Sequence, residues 1–130
     1  MKKVNEIILD IQKNGMPQYV KQSIEISIDG HVNHCLYPMV YLGEMKKYEF
    51  EISTEAIEEF FNEFDFSAWT ELDKHTSDSA SYILKVFYDD QSVVVKKGYI
   101  NSQMPKEYVQ FDEKLLDLIY FIEKPWLFSL

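Results

Sequence analysis

Apolar and polar residues alternate through much of the chain, and the phase of that alternation predicts strands. Ile7, Leu9 and Ile11 recur at every second position around Asp10, a half-buried strand that ends at the breaker spanning Asn14 to Pro17. Ile24, Ile26 and Ile28 repeat the pattern up to Asp29-Gly30, with Val32 and Leu36 beyond. A two-residue turn here would pair Ile28 with His31 and Ile26 with Asn33, mixing apolar and polar side chains on one face. A three-residue loop with Gly30 in the left-handed region pairs Ile26 with Val32 and Ile24 with His34. That register keeps the apolar set together, so a bulged hairpin is predicted. Tyr48, Phe50 and Ile52, with Glu49 and Glu51 facing away, predict a further strand.

The period then changes. Ser53 can cap a helix, with Ile52 and Ile57 as its hydrophobic staple and Glu55 complementing the dipole in the first turn. Ile57, Phe60, Phe61 and Phe64 form its buried stripe, so the helix should run to about Phe64. Residues 81–88 and 92–98 return to strand character, joined at Asp89-Asp90. A two-residue turn there sets Val86 opposite Val93 and Leu84 opposite Val95. Asp112 is predicted to cap a second helix, with Phe111 and Leu116 as its staple. Its buried stripe would be Leu115, Leu118, Ile119 and Ile122, ending before Pro125. The order strand, hairpin, strand, helix, hairpin, helix predicts an α+β fold: an antiparallel sheet of about five to six strands with two helices packed on one face.

Length and composition fit a single domain over residues 1–130. The chain has 46% hydrophobic residues, 20 aromatics and only 4 Gly and 4 Pro, a globular composition rather than a disordered one. The lone cysteine, Cys35, cannot form an internal disulfide, which fits a reducing cytosol and predicts a cytoplasmic protein. The N-terminus lacks the long apolar core and small-residue cleavage site of a signal peptide. No stretch approaches the roughly 18 apolar residues of a membrane span, so no membrane association is expected.

Charge narrows the classes of partner. All 13 basic residues are lysine, and the formal net charge is −9. A negative chain without arginine forks is poorly suited to phosphates and guanine edges, and nucleic-acid binding is not expected. From Tyr48 to Asp73 lie nine carboxylates: Glu49, Glu51, Glu55, Glu58, Glu59, Glu63, Asp65, Glu71 and Asp73. No lysine or histidine interrupts them. The other 13 acids equal the 13 lysines, so the whole net charge sits in this run. Glu55, Glu58, Glu59 and Glu63 recur at three- and four-residue spacing on one helix face, where like charges cost a few tenths of a kcal/mol per pair. Such a face either solubilises the protein or docks a basic partner and speeds its encounter.

Other clusters point to no catalytic group. Asp73, His75, Ser77, Asp78 and Ser79 combine hydrolase residue types, but the stretch has no glycine for a strained nucleophile turn; turn-rich connections use these residues for local hydrogen bonds. His31 and His34 project to opposite faces of a strand, leaving His31 with Cys35, two ligands where a structural zinc needs four. His34 is predicted to be a hydrogen-bonded core histidine. The glycines at 15, 30, 43 and 98 are scattered and open neither predicted helix, so no phosphate cradle and no cofactor is expected. The alternative reading is a small-molecule binding domain with an aromatic pocket between sheet and helices lined by Tyr82, Tyr88 and Phe61, and the apolar tail with Trp126, Leu127 and Phe128 either docks on the core or makes a homodimer contact.

The segments around residues 16–19, 24–32 and 53–66, the strand 84–90, and Gly98 and Pro105 ahead of a terminal helix resemble a set of small bacterial domains of unknown function. The resemblance implies a hairpin, helix, hairpin, helix pattern with no activity attached. Where members place a cysteine before the proline, this chain has Met16, so no thiol chemistry is carried over. The residues as a whole predict a non-catalytic acidic protein that docks a basic protein partner through Glu55, Glu58, Glu59 and Glu63. A bacterial immunity- or antitoxin-like inhibitor is its concrete form.

Overall fold

A computed structural model of the chain describes residues 2–12, 19–38, 43–71, 80–100 and 105–119. The elements in chain order are β1 (Val4–Gln12), β2 (Tyr19–Ser27), β3 (His31–Pro38), β4 (Lys46–Glu51), α1 (Thr54–Asn62), β5 (Ala80–Tyr88), β6 (Val93–Ile100) and α2 (Lys106–Leu118). The six strands form one antiparallel sheet in the order β4-β3-β2-β1-β5-β6. This is the α+β fold that the alternation predicts. One face of the sheet is buried. Ile7, Leu9 and Ile11 of β1 join Ile24 and Ile26 of β2 and Leu84 and Val86 of β5 in one core with the apolar stripes of both helices. Each such fully buried side chain contributes about 2 kcal/mol through removal of apolar surface from water.

The β2–β3 hairpin has the register that parity predicts: Ile26 opposite Val32 and Ile24 opposite His34. Gly30 closes the loop at φ +101°. Its carbonyl accepts a 2.8 Å hydrogen bond from the Ile52 N–H, and a Cβ at this position would lie 2.6 Å from the Ile52 oxygen. Backbone conformation and close approach thus both require glycine, and the turn pins the chain as it enters α1.

The β5–β6 hairpin differs from the predicted tight turn. Val86 lies opposite Val94 and Leu84 opposite Lys96, one residue out of the predicted register. The loop holds three residues, Asp89, Asp90 and Gln91, with Gln91 at φ +70°. The Asp90 carboxylate accepts from the Ser92 N–H at 2.9 Å and so stabilises the wider loop. The shift puts Ile100 into the core and turns Val93 and Val95 outward, 48% and 45% exposed.

Both helices also depart from their predicted bounds. Ser53 caps α1, accepting from the Ala56 N–H at 3.3 Å, but the helix ends at Asn62 and Phe64 packs against the core beyond its end. α2 begins at Lys106 after Pro105, so Asp112 lies inside the helix and not at its N-cap. Phe111 is the reason. Its ring meets Phe60, Phe64, Phe66 and Trp69 at 5.4–6.2 Å, which makes it the junction between α1, the connection after it and α2. Tyr108, Phe111 and Leu115 form the buried stripe, with Ile119 buried just past the helix end and Leu118 packed against the core. Ile122 lies outside the described residues.

Candidate interaction surface

Helix α1 separates two chemistries by its period. Ile57, Phe60 and Phe61 face the sheet, while Glu55, Glu58, Glu59 and Glu63 are exposed on the opposite side. The four carboxylates and Asn62 line an open surface depression of about 460 Å³. The Ser53 hydroxyl donates to Glu55 at 2.9 Å, and this carboxyl is held below the usual carboxylate range by a backbone hydrogen bond and by that hydroxyl.

The acidic run is not free of countercharge in space, as it is in sequence. Lys3, at the foot of β1, approaches Glu58 at 3.9 Å, and Lys114 of α2 approaches Glu63 at 3.7 Å. Both pairs are well exposed, and exposed pairs contribute about 0–1 kcal/mol each, too little to cancel the field of the face. Lys3 reaches the rim because its backbone is fixed: its N–H donates to the Asp89 carboxylate at 3.1 Å, and its carbonyl accepts from the Asp89 N–H at 2.8 Å.

Three of the remaining acids of the run serve local structure, and Glu51 is exposed on β4 opposite His31. Glu49 pairs with Lys47 at 2.7 Å on β4, and the lysine holds its carboxyl below the usual range. Asp65 caps the 3₁₀ turn Phe66–Ala68, accepting from the Ser67 N–H at 3.2 Å and its hydroxyl at 2.6 Å; these bonds hold it below its ordinary value. Glu71 accepts from the Lys97 N–H at 2.8 Å on β6. Asp73 lies outside the described residues, as do His75, Ser77, Asp78 and Ser79. The structure thus brings the four helical glutamates onto one surface and disperses Glu49, Glu51, Asp65 and Glu71.

A second acidic group lies on the sheet face turned away from the helices. Glu6, Glu25 and Asp29, with His31 and Asn33, line a depression of about 230 Å³. Partial burial, then repulsion from Glu25 and Asp29, pushes the Glu6 carboxyl above its ordinary value. Asp29 is held low, chiefly by the His31 N–H that its carboxylate accepts at 3.0 Å.

The histidines take the opposite faces that alternation predicts. His31 is exposed, and His34 is buried with its Nε2 2.6 Å from Gln22 Oε1. Among the described residues no group of three or more His, Cys, Asp or Glu is arranged to hold a metal ion. Of the three aromatics predicted to line a pocket, Phe61 borders a depression of about 220 Å³ between α1 and the sheet, with Val4, Asn5 and Ile28, and Tyr82 and Tyr88 are not among its lining residues. Phe61 and Tyr82 are buried core side chains, and Tyr88 is half-buried beneath the Lys2 ammonium, 4.9 Å from the ring centroid. Tyr82 belongs to a hydrogen-bonded cluster invisible in the sequence pattern. The Trp69 indole donates to its hydroxyl at 2.9 Å, that hydroxyl meets the Tyr108 hydroxyl, and Tyr108 donates to the Thr70 carbonyl. Burial, reinforced by Tyr108, pushes the Tyr82 hydroxyl far above its ordinary value, so it stays protonated as a structural donor and acceptor. Trp69 also stacks on Tyr108 at 4.7 Å, locking the segment after α1 onto α2.

Trp126, Leu127 and Phe128 lie outside the described residues. Among the described residues no helix is long and apolar enough to cross a membrane. Compared with known proteins, the chain matches no family model and no curated protein.

Proposed function

We propose that the chain is a non-catalytic binding protein of the bacterial cytosol that docks a basic protein partner through the outer face of α1. The observation that supports this reading is the convergence of Glu55, Glu58, Glu59 and Glu63 on one exposed helix face above a packed aromatic core. The core gives the face rigidity. Phe60 and Phe61 fix the helix against the sheet, so the carboxylates are presented at set spacing and a partner would meet a preorganised surface. The field of four neighbouring acids attracts a basic surface over about one Debye length, 8–10 Å at physiological salt. Lys3 and Lys114 stand at the rim and would define register for a partner with acids outside its basic patch. An immunity- or antitoxin-like inhibitor fits this chemistry, since such a role rewards fast capture of a basic protein.

Affinity capture from the source cell's lysate, run in parallel with wild-type chain and a variant carrying Glu55→Gln, Glu58→Gln, Glu59→Gln and Glu63→Gln, tests the reading. Wild type should retain a basic protein in stoichiometric amount and the variant should lose it. Identical proteins on both would refute the reading.

A further inference from the structure

Among the described residues the helices cover one face of the sheet, and the face they leave open divides into two halves of different chemistry. Over β2, β3 and β4 its outward residues are largely polar, with Ser23, Glu25, Asn33, Lys47 and Glu49 among them. Over β1, β5 and β6 they include Ile8, Ile83, Phe87, Val93 and Val95. Three of these, Ile83, Val93 and Val95, are among the most exposed large apolar side chains described, at 37–48%. The register sets them side by side: Phe87 lies beside Val93, Lys85 between Ile8 and Val95, and Ile83 between Asp10 and Lys97. An apolar patch with charge at its rim and one lysine, Lys85, among its members marks an interaction surface.

The rim names the occupant. Acids stand on one side of the patch, Glu6 and Asp10 on β1 and Glu25 on β2; Lys85 on β5 stands within it, and Lys97 on β6 closes the other side. A partner of uniform charge would match one side and oppose the other. A second copy, turned about a two-fold axis, matches both.

We propose that this half of the open face is a homodimer interface, with two copies packed sheet against sheet about a two-fold axis running along the strands between β1 and β5. That axis lays β1 of one copy over β5 of the other and β2 over β6. Glu6 and Asp10 then flank the opposing Lys85, whose aliphatic stem lies over Ile8, Glu25 approaches the opposing Lys97, and Ile83, Phe87 and Val95 pack beside these charged groups. Every contact occurs twice. Four strands about 4.8 Å apart and about seven residues long cover roughly 450 Å² per copy, so the total falls below the standard interface of about 1,600 Å². The dimer is therefore weak, with dissociation in the micromolar range or above. Helix α1 lies on the other side of the sheet, so dimerisation leaves its acidic face outward and is independent of the docking proposed above.

Sedimentation equilibrium on the full chain over about 1 µM to about 1 mM tests the interface. The weight-average mass should rise from the monomer's 15.5 kDa towards twice that value. Val95→Glu, which sets a carboxylate over the opposing Glu25, should hold it at the monomer value. Lys97→Glu and Glu25→Lys should each weaken association about tenfold, and the two together should restore it. Glu25 and Lys97 stand three strands apart within one copy, so restoration can arise only between copies. Thermal melts of all four variants identify any that fail to fold. A monomer at every concentration, a dimer indifferent to Val95→Glu, or a folded double variant that does not regain association would overturn the proposal.

Discussion

The two described hairpins use one loop geometry with different residues at its critical position. In β2–β3 the loop is Ile28-Asp29-Gly30, and in β5–β6 it is Asp89-Asp90-Gln91. In each, the third residue has positive φ and its N–H bonds back to the last residue before the loop, Ser27 or Tyr88, at 3.0 Å. In each, the middle aspartate accepts the N–H two residues on, from His31 at 3.0 Å or Ser92 at 2.9 Å. The difference lies beyond the loop. Gly30 sits under the Ile52 carbonyl at φ +101°, where no side chain fits, while Gln91 at φ +70° is near the left-handed region that non-glycine residues reach at modest cost. The middle aspartate, and not the glycine, is the residue that the two loops share.

The largest expected effect separates the two loops directly. Gly30→Ala should destabilise the protein by about 3 kcal/mol, through backbone strain and the clash with Ile52. Gln91→Ala should cost under about 0.5 kcal/mol, because the strain is already present. Equal losses in urea unfolding would break the comparison. A smaller effect checks the register: Val94→Lys, on the covered face, should cost about 2 kcal/mol, while Val93→Lys changes stability by less than about 0.5 kcal/mol. The reverse order would restore the two-residue turn. Smaller again, Gln91→Gly should stabilise by about 0.5 kcal/mol as the strain is relieved against the added flexibility of the unfolded chain.

Acid titration gives the smallest effect and its sign is fixed by the turns. Asp29 is held below its ordinary value chiefly by the His31 N–H, and Asp90 by the Ser92 hydroxyl and N–H. The folded state therefore binds these protons less tightly than the unfolded chain. Their stabilisation is present above the unfolded value near about pH 4 and is lost as pH falls through the folded values. Glu6 is shifted the other way, chiefly by burial, so it opposes that trend as it takes up a proton. Chemical denaturation at stepped pH should show a shallower acid loss in Asp29→Asn and in Asp90→Asn than in wild type. An unchanged slope would remove the aspartates from the account of the loops.

The same contrast explains what could be read from the sequence. Ile24, Ile26 and Val32 are apolar at one parity only, so a wrong register would expose them and the first hairpin was determined by pattern. Val93, Val94 and Val95 are apolar at both parities, and the pattern could not choose between them; Ile100, buried eight residues after Ser92, carried the deciding signal. Ser53 and the stripe of α1 were local and legible. The start of α2 was not, because Phe111 looks like a staple beside Asp112 until the rings of α1 and its following turn are placed around it. The acidic face follows from helical spacing alone. Its countercharges do not, since Lys3 and Lys114 arrive from elements about fifty residues away on either side. The apolar patch on the open sheet face depends on the β6 register and on β1 pairing with β5, and neither is written in local pattern.

The most direct test of the docking face is the association rate of the captured partner with wild type and with the fourfold Glu55, Glu58, Glu59 and Glu63 to Gln variant, followed by stopped flow as salt is raised. The account predicts that wild-type association slows steeply with ionic strength, and that the variant associates more slowly at low salt, with a flatter dependence that meets the wild-type rate at high salt. Identical rates and identical salt dependence would contradict it and leave α1 with a solvated surface and no part in recognition.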